Sequence, residues 1–229
     1  MKIKKLEWDS TFFGMTIGSL EISDSEPFDE VEFLDGAREF TLVYIFSTRT
    51  LKSSALTQVD TKVVFGKAIL ALTAPPPVVS CYRKEIHSLT QLEDLALQSG
   101  EYSRFKTDGH FPSSDFQRLY KHWLTASLEH RIAFETLVYA ENGDVDGFVT
   151  VGEKDARTAS IGLIAVRRQR RGSGVGRMLM QAAEELAHTK GYTTMHAATQ
   201  LNNTQAYSFY LKNGYSVHSN TNVYHYWRL

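Results

Sequence analysis

The hydrophobic pattern changes period sharply about three-quarters of the way along the chain. Ile161 to Val166 is a short apolar run with β-branched residues, suited to a buried strand. A polar segment from Arg167 to Gly176 follows, with glycine at the alternate positions Gly172, Gly174 and Gly176. Val175, Met178, Leu179, Ala182, Ala183, Leu186 and Ala187 then recur at helical spacing, and Lys190-Gly191 supplies a stop. A strand therefore feeds a glycine loop that opens a helix. Backbone amides at such a helix start, approached closely past glycines, form a site for phosphate.

The same reading predicts the other elements. Met15 to Ile22 alternates like a strand, Phe28 to Phe40 reads as a helix, and Leu42–Phe46 and Lys62–Leu70 read as strands. Three prolines at 75–77 stiffen the chain and predict a boundary: an N-terminal α/β domain at 1–74, a linker at 75–79 and a second domain at 80–229. Glu85 to Ser99 is amphipathic and helical. Ser103 to Pro112 reads as a polar loop with aromatics, and a long helix capped by Ser113 or Ser114 carries Phe116, Leu119, Tyr120, Trp123 and Leu124. Phe134–Ala140 and Val145–Gly152 are strands joined by the turn Glu141-Asn142-Gly143-Asp144. Beyond the central helix come a strand at Tyr192–Thr199, a short helix at Thr204–Asn213 ended by Gly214, and a closing strand pair at Tyr215–His218 and Val223–Leu229.

Composition narrows the function classes. Lys plus Arg is 25 and Asp plus Glu is 26, so no global basic field favours nucleic acid as a partner. Cys81 is the only cysteine, which excludes an internal disulfide and fits a reducing compartment; its pattern is that of a small apolar filler. No apolar run reaches the length of a membrane span, and Glu7 and Asp9 interrupt the N-terminus where a signal core would be apolar. The expectation is a soluble, cytoplasmic protein acting on a small molecule, without membrane, nucleic acid or metal, and with a homodimer left open.

The glycine loop fits neither a P-loop, which would need Gly-Lys-Ser/Thr, nor a dinucleotide fingerprint of G-x-G-x-x-G. Gln169-Arg170-Arg171-Gly172-Ser173-Gly174 instead resembles the acyl-CoA pyrophosphate loop of the GNAT superfamily of N-acyltransferases. Phe209-Tyr210-Leu211-Lys212-Asn213-Gly214-Tyr215 resembles the closing signature of the same superfamily. This resemblance, over about 80–229, implies an α/β (α+β) GNAT fold with a mixed, mostly antiparallel sheet, and acetyl-CoA as co-substrate. It also implies site residues. Leu163, Ile164, Ala165 and Val166 would offer main-chain amides to the pantetheine and thioester. Gln169, Arg170, Arg171, Gly172, Ser173, Gly174, Val175 and Gly176 would hold the pyrophosphate. Asn203 would bond the pantetheine arm, and Tyr210 would protonate the departing thiolate, the alternative being a packed aromatic. Arg167, Arg168, Arg170 and Arg171 are expected to screen the phosphates. No general base is evident, with Glu153 and His196 the weak candidates.

Features spread over both domains resemble one branch of that superfamily, the acetyltransferases of TDP-linked amino sugars. They are Trp8-Asp9-Ser10-x-Phe12-Phe13-Gly14, Ser103-Arg104-Phe105, Leu119-Tyr120-x-x-Trp123 and Ala198-Thr199-Gln200-x-x-Asn203-Thr204-x-Ala206. The resemblance implies an acceptor side lined by Phe12, Phe13 and Arg104, with the guanidinium on the diphosphate. From the pattern alone Phe12 and Phe13 read as core packing. The alternatives to a nucleotide-sugar enzyme are a GNAT acetyltransferase of a peptide, lysine or polyamine, and a non-catalytic CoA-binding module.

Overall fold

The computed structural model describes residues 1–23, 25, 27–70 and 78–228. These divide into two compact units, Met1–Val63 with Gln200–Asn202 and Ser219–Leu229, and Val64–Thr199 with Asn203–His218. The division differs from the expected 1–74 and 80–229, because strand pairing rather than chain continuity decides it. Prolines 75–77 lie outside the described residues.

The first unit contains β1 (Lys4–Lys5), α1 (Glu7–Phe13), β2 (Ile17–Ile22), α2 (Glu30–Gly36) and β3 (Leu42–Ser47), with the first half of β4 (Thr57–Ala68). β2 and β3 run parallel, from Ile17↔Leu42 to Ile22↔Ser47. The last part of the chain returns to pair antiparallel with β3, from Asn222↔Ser47 to Trp227↔Leu42. Leu20, Ile22, Phe33, Phe40, Val43, Ile45 and Tyr224 form this unit's core, and the Leu51 amide donates to the Tyr224 hydroxyl at 3.0 Å. One element is added here and one expectation changes. Trp8 to Phe13 belongs to a helix, α1, ended by Gly14 at φ 68°. Asp29 caps α2 by accepting from the amides of Val31 and Glu32, so the helical stretch starts later than expected, and its last turn, Ala37–Glu39, is 3₁₀.

The second unit continues with β5 (Val79–Cys81), α3 (Leu89–Ser99), α4 (Arg104–Thr107), α5 (Ser113–Leu128), β6 (Glu135–Glu141), β7 (Asp144–Asp155), β8 (Thr158–Val166), α6 (Val175–Thr189), β9 (Thr194–Gln200) and α7 (Thr204–Lys212). Its strand order is β4-β9-β8-β7-β6-β5, with β8 and β9 parallel and β5 to β8 antiparallel. The expected mixed sheet is present. Asn142 and Gly143, at φ 53° and 87°, make the two-residue turn between β6 and β7.

Three boundaries correct the pattern reading. α3 starts at Leu89 because the Ser88 hydroxyl accepts from the Gln91 amide, so Glu85 to His87 is not helical. The expected loop at Ser103–Pro112 contains the helical turn α4, capped by Ser103, and α5 begins after Pro112 with no side-chain cap from Ser113 or Ser114. The two closing strands are one, β10 (Ser216–Trp227). Its polar middle suits a strand because Asn222 Oδ1 accepts from Gln58 Nε2 and Thr61 Oγ1, at 3.1 and 3.2 Å. Cys81, expected as a filler, is exposed.

A buried ion pair supports α6. Glu184, 3% exposed, accepts from Lys67 Nζ at 2.7 Å and from the Tyr215 hydroxyl at 2.9 Å. Removing the cation leaves a carboxylate inside the unit with one neutral donor, which typically costs about 3–5 kcal/mol. Lys67→Met is expected near the low end of that range, since Lys67 still reaches solvent. Urea unfolding measures it, and a loss under about 1 kcal/mol would show that the pair contributes no more than an exposed one.

Candidate active site

Gly172 and Gly174 take φ values of 82° and 92°, a region that L side chains rarely adopt, and a Cβ at either would meet nothing within 4 Å. The loop is therefore open on the side its glycines face. Gly174 is the N-cap of α6 and no side chain caps that end, so the first-turn amides have no intrahelical acceptor. Gly176 serves differently: a Cβ there would stand 3.0 Å from the Phe209 ring of α7. The loop is tightened from within, as the Ser173 hydroxyl donates to the Arg170 carbonyl at 2.6 Å. These features fit the pyrophosphate of a CoA thioester.

The second element is a gap in the sheet. Parallel pairing of β8 with β9 runs from Thr158↔Thr194 to Ile161↔Ala197 and ends there, although β8 continues to Val166 and β9 to Gln200. On its other edge β8 stays paired to β7, with a bulge where Val149↔Ile164 is followed by Val151↔Ile161. Thr150 sits opposite the bulge and its Oγ1 accepts the Leu163 amide at 2.8 Å. Of the four expected main-chain donors, Leu163 is thus already engaged. The Arg167 amide donates to the Asp146 carbonyl of β7 at 2.8 Å. Because antiparallel ladder bonds alternate, the Ala165 amide also faces β7, and those of Ile164 and Val166 face the gap. Gly162, inside the apolar run, was the sequence signal for this bulge. Its Cβ would stand 2.7 Å from Thr150 Oγ1.

Tyr210 lies on α7 with its ring 2% exposed. It packs on Phe65 at 5.2 Å, Phe209 at 5.5 Å and Tyr215 at 5.8 Å between ring centroids. Its hydroxyl has no hydrogen-bond partner among the described residues, and burial pushes its pKa above the ordinary phenol value. Like any phenol it is protonated at neutral pH, and burial extends that range upward. Asn203 is the N-cap of α7, its Oδ1 accepting from the Ala206 amide at 3.1 Å. That leaves the amide nitrogen of its side chain for an external acceptor.

The arginines depart from expectation. Arg167 pairs with Asp146 at 3.3 Å and donates to the Val145 carbonyl at 2.8 Å. Arg168 pairs with Glu101, and Arg170 with Glu141 and, at 3.1 Å, with Asp146. Arg171 donates to the Val166 carbonyl at 3.1 Å and reaches Gln98 at 3.5 Å, with no carboxylate partner among the described residues. Arg177, exposed on the first turn of α6, has no ion pair among the described residues either. The cations left for phosphate are thus Arg171 and Arg177, and the other three are neutralised by the protein. Gln169 is exposed beside them.

Of the expected acceptor residues, Phe12 and Phe13 belong to the first unit and Arg104 to the second. Phe13 is buried, and Phe12 stacks on Trp8 at 4.9 Å. Arg104 lies over the Phe105 ring at 4.5 Å in a partly buried position, where it braces the aromatic loop. Beside it, Leu97, Phe105, Phe111 and Phe116 line a cavity of about 360 Å³ rimmed by Gln98, Glu101 and Lys106. Glu101 and Gln98 also hold Arg168 and Arg171, which ties this cavity to the glycine loop. Both weak base candidates have partners within the protein. Glu153 accepts the Tyr192 hydroxyl at 2.7 Å. His196 Nδ1 lies 2.7 Å from Lys154 Nζ, which can only donate, so the imidazole proton sits on Nε2. Burial, then the charges of Lys154 and His218, hold the His196 pKa below its ordinary value.

The acetyltransferase (GNAT) family model matches residues 90–215, a stretch that contains the gap, the glycine loop and Tyr210. The chain belongs to this GNAT family. It is an N-acetyltransferase, and acetyl-CoA is the donor its family uses. A dTDP-fucosamine acetyltransferase of Escherichia coli O6:H1 (strain CFT073) is 30% identical over 222 residues, covering 95% of this chain and 94% of that one. The spore coat polysaccharide biosynthesis protein SpsD of Bacillus subtilis (strain 168) is 27% identical over 58% of this chain and 46% of its own length. Among solved structures, a functionally unknown conserved protein from Staphylococcus epidermidis superposes with a TM-score of 0.66 over 100% of this chain and 93% of its own, at 12% identity. That likeness shows the fold. Among the described residues no helix is long and apolar enough to cross a membrane.

Proposed function

We propose that this GNAT enzyme transfers an acetyl group from acetyl-CoA to the amine of a TDP-linked amino sugar, directly, within a ternary complex. The observation that carries the acceptor class is the reach of the similarity to the E. coli enzyme. It extends over 95% of the chain, well beyond the residues 90–215 that make up the family's common domain.

The chain's own groups divide the work. The first-turn amides of α6, with Gly172 and Gly174 opening the approach and Arg171 and Arg177 supplying charge, hold the pyrophosphate. The Ile164 and Val166 amides, directed into the gap, bond the donor's amide and carbonyl oxygens and steady charge that develops there. The Asn203 side-chain amide nitrogen anchors the pantetheine arm. Acetyl-CoA supplies the activated acyl group and a thiolate leaving group. Tyr210, a phenol whose pKa burial raises further, is protonated and delivers its proton to that sulfur. The acceptor amine arrives neutral by losing its ammonium proton to solvent, which suits a sugar amine better than a lysine. The proton its nitrogen sheds as the C–N bond forms and the C–S bond breaks passes to solvent, and solvent returns one to Tyr210.

The test is a screen of TDP- and UDP-linked amino sugars, free amino sugars, lysine peptides and polyamines with acetyl-CoA, following free thiol. Turnover is expected to be highest with a TDP-amino sugar. A peptide or polyamine turned over faster overturns the acceptor class, and no thiol release with any amine leaves a CoA-binding module.

A further inference from the structure

The second unit carries a cluster of nitrogen groups that the acyl-transfer chemistry does not use. Lys154 on β7, His196 on β9 and His218 on β10 come together on one face of the sheet. Lys154 Nζ lies 2.7 Å from His196 Nδ1, and the two imidazole centroids are 4.6 Å apart. An ammonium normally seeks a carboxylate, yet among the described residues Lys154 has no ion pair. The nearby carboxylates are committed elsewhere: Asp155 accepts the amides of Arg157 and Thr158 at 3.0 and 2.9 Å, and Glu153 takes the Tyr192 hydroxyl. The Asp155 charge acts on both Lys154 and His196 without pairing with either, so three nitrogen groups that repel one another when charged share one carboxylate at a distance.

His196 gives the cluster a direction. It is 9% exposed, its Nδ1 is held by Lys154, and its Nε2–H has no acceptor among the described residues. What stands before Nε2 is Gly66 of β4, where a Cβ would come within 3.3 Å of that atom. The absence of a side chain there leaves the donor open. The strand positions around it are small. Ser160 pairs with His196 across β8 and β9, while Gly162 and Ala198, the next residues on the same face, are exposed. A ligand can lie flat against this part of the sheet.

We propose that Lys154, His196 and His218 form an anion subsite that takes the diphosphate of the acceptor. The assignment rests on the nucleotide-sugar reading above. Its position supports the role. The pairing of β8 and β9 ends one residue beyond Ser160↔His196, and two residues along a strand span roughly 7 Å. A diphosphate at His196 thus leaves about the length of one sugar ring between itself and the start of the gap. Donors on a sheet face and an ammonium reaching across β8 from β7 match the spread oxygens of a diphosphate.

Lys154 and His218 are exposed, so their removal leaves the core intact. The test is calorimetric titration of TDP, and separately of inorganic pyrophosphate, into the protein saturated with CoA, for wild type, Lys154→Ala and His218→Ala. Saturation keeps both probes off the glycine loop. Wild type is expected to bind both. Each variant should weaken that binding roughly ten- to a hundredfold, the usual effect of losing a hydrogen bond to a charged group, while CoA protects it thermally as well as wild type. Variants that bind both probes like wild type overturn the subsite and leave the acceptor reading standing. Wild type that binds pyrophosphate but not TDP, with the variants losing it, keeps the anion site and overturns the nucleotide reading. Wild type that binds neither overturns both.

Discussion

Gly174→Val is expected to abolish CoA binding while leaving the protein folded. Gly174 has φ 92° and ψ −11°, and a Cβ there meets no protein atom within 4 Å. The substitution therefore costs backbone strain of about 1–3 kcal/mol but no internal clash. The valine methyls stand instead in the open space before the first amides of α6, where phosphate oxygens must approach. With wild type, CoA at a hundred times its dissociation constant adds about 2.7 kcal/mol of stability, read as a rise in Tm. The variant should show no such rise. A variant protected by CoA as fully as wild type would remove the glycine loop from the donor site.

Tyr210→Phe should lower kcat by about 10²- to 10⁴-fold, the usual contribution of a general acid, with little change in the affinity for CoA. The ring contacts with Phe65, Phe209 and Tyr215 survive the change. The hydroxyl has no partner among the described residues, so its removal breaks no internal hydrogen bond and stability should hold. The sign of the pH dependence follows from burial. An acid is lost as pH rises through its pKa, and this one lies above the ordinary value near 10. Tyr210 should therefore impose no alkaline fall in kcat/KM below about pH 10. Single-turnover kinetics decide the matter: a variant with undiminished acyl transfer returns Tyr210 to the role of a packed aromatic.

What could be read in advance was what depends on near neighbours. The glycine loop and the helix after it are local: positive φ at Gly172 and Gly174 and the amphipathic spacing from Val175 need no distant partner. The Asn142-Gly143 turn is legible for the same reason. The arginines were not, because their counter-charges come from remote positions, Glu101 for Arg168 and Glu141 and Asp146 for Arg170. A run of four arginines around a loop looks like a phosphate clamp until those carboxylates are placed. The polar stretch Ser219–Asn222 looked like a turn because its partners, Gln58 and Thr61, lie about 160 residues earlier. Short α1 was hidden for a different reason. Its register is held by the Ser10 hydroxyl, which donates to the Leu6 carbonyl at 2.6 Å and accepts the Ile17 amide at 3.0 Å, side-chain bonds that hydrophobic spacing does not report.

The pairing of β10 with β3 also sets an order of events during synthesis. The partner of Ser47 is Asn222, and the hydroxyl that receives the Leu51 amide belongs to Tyr224. Until those residues leave the ribosome, β3 has a bare edge, and Leu51 and Phe40 lack part of the core that covers them. The N-terminal segment, although made first, is among the last to be finished, and closing a loop that long is slow. The nascent chain must hold this unfinished sheet while the second unit is still being translated. A fragment cut at residue 74 carries the same open edge for good, which makes it a substrate for chaperones or for its own copies rather than a free-standing domain.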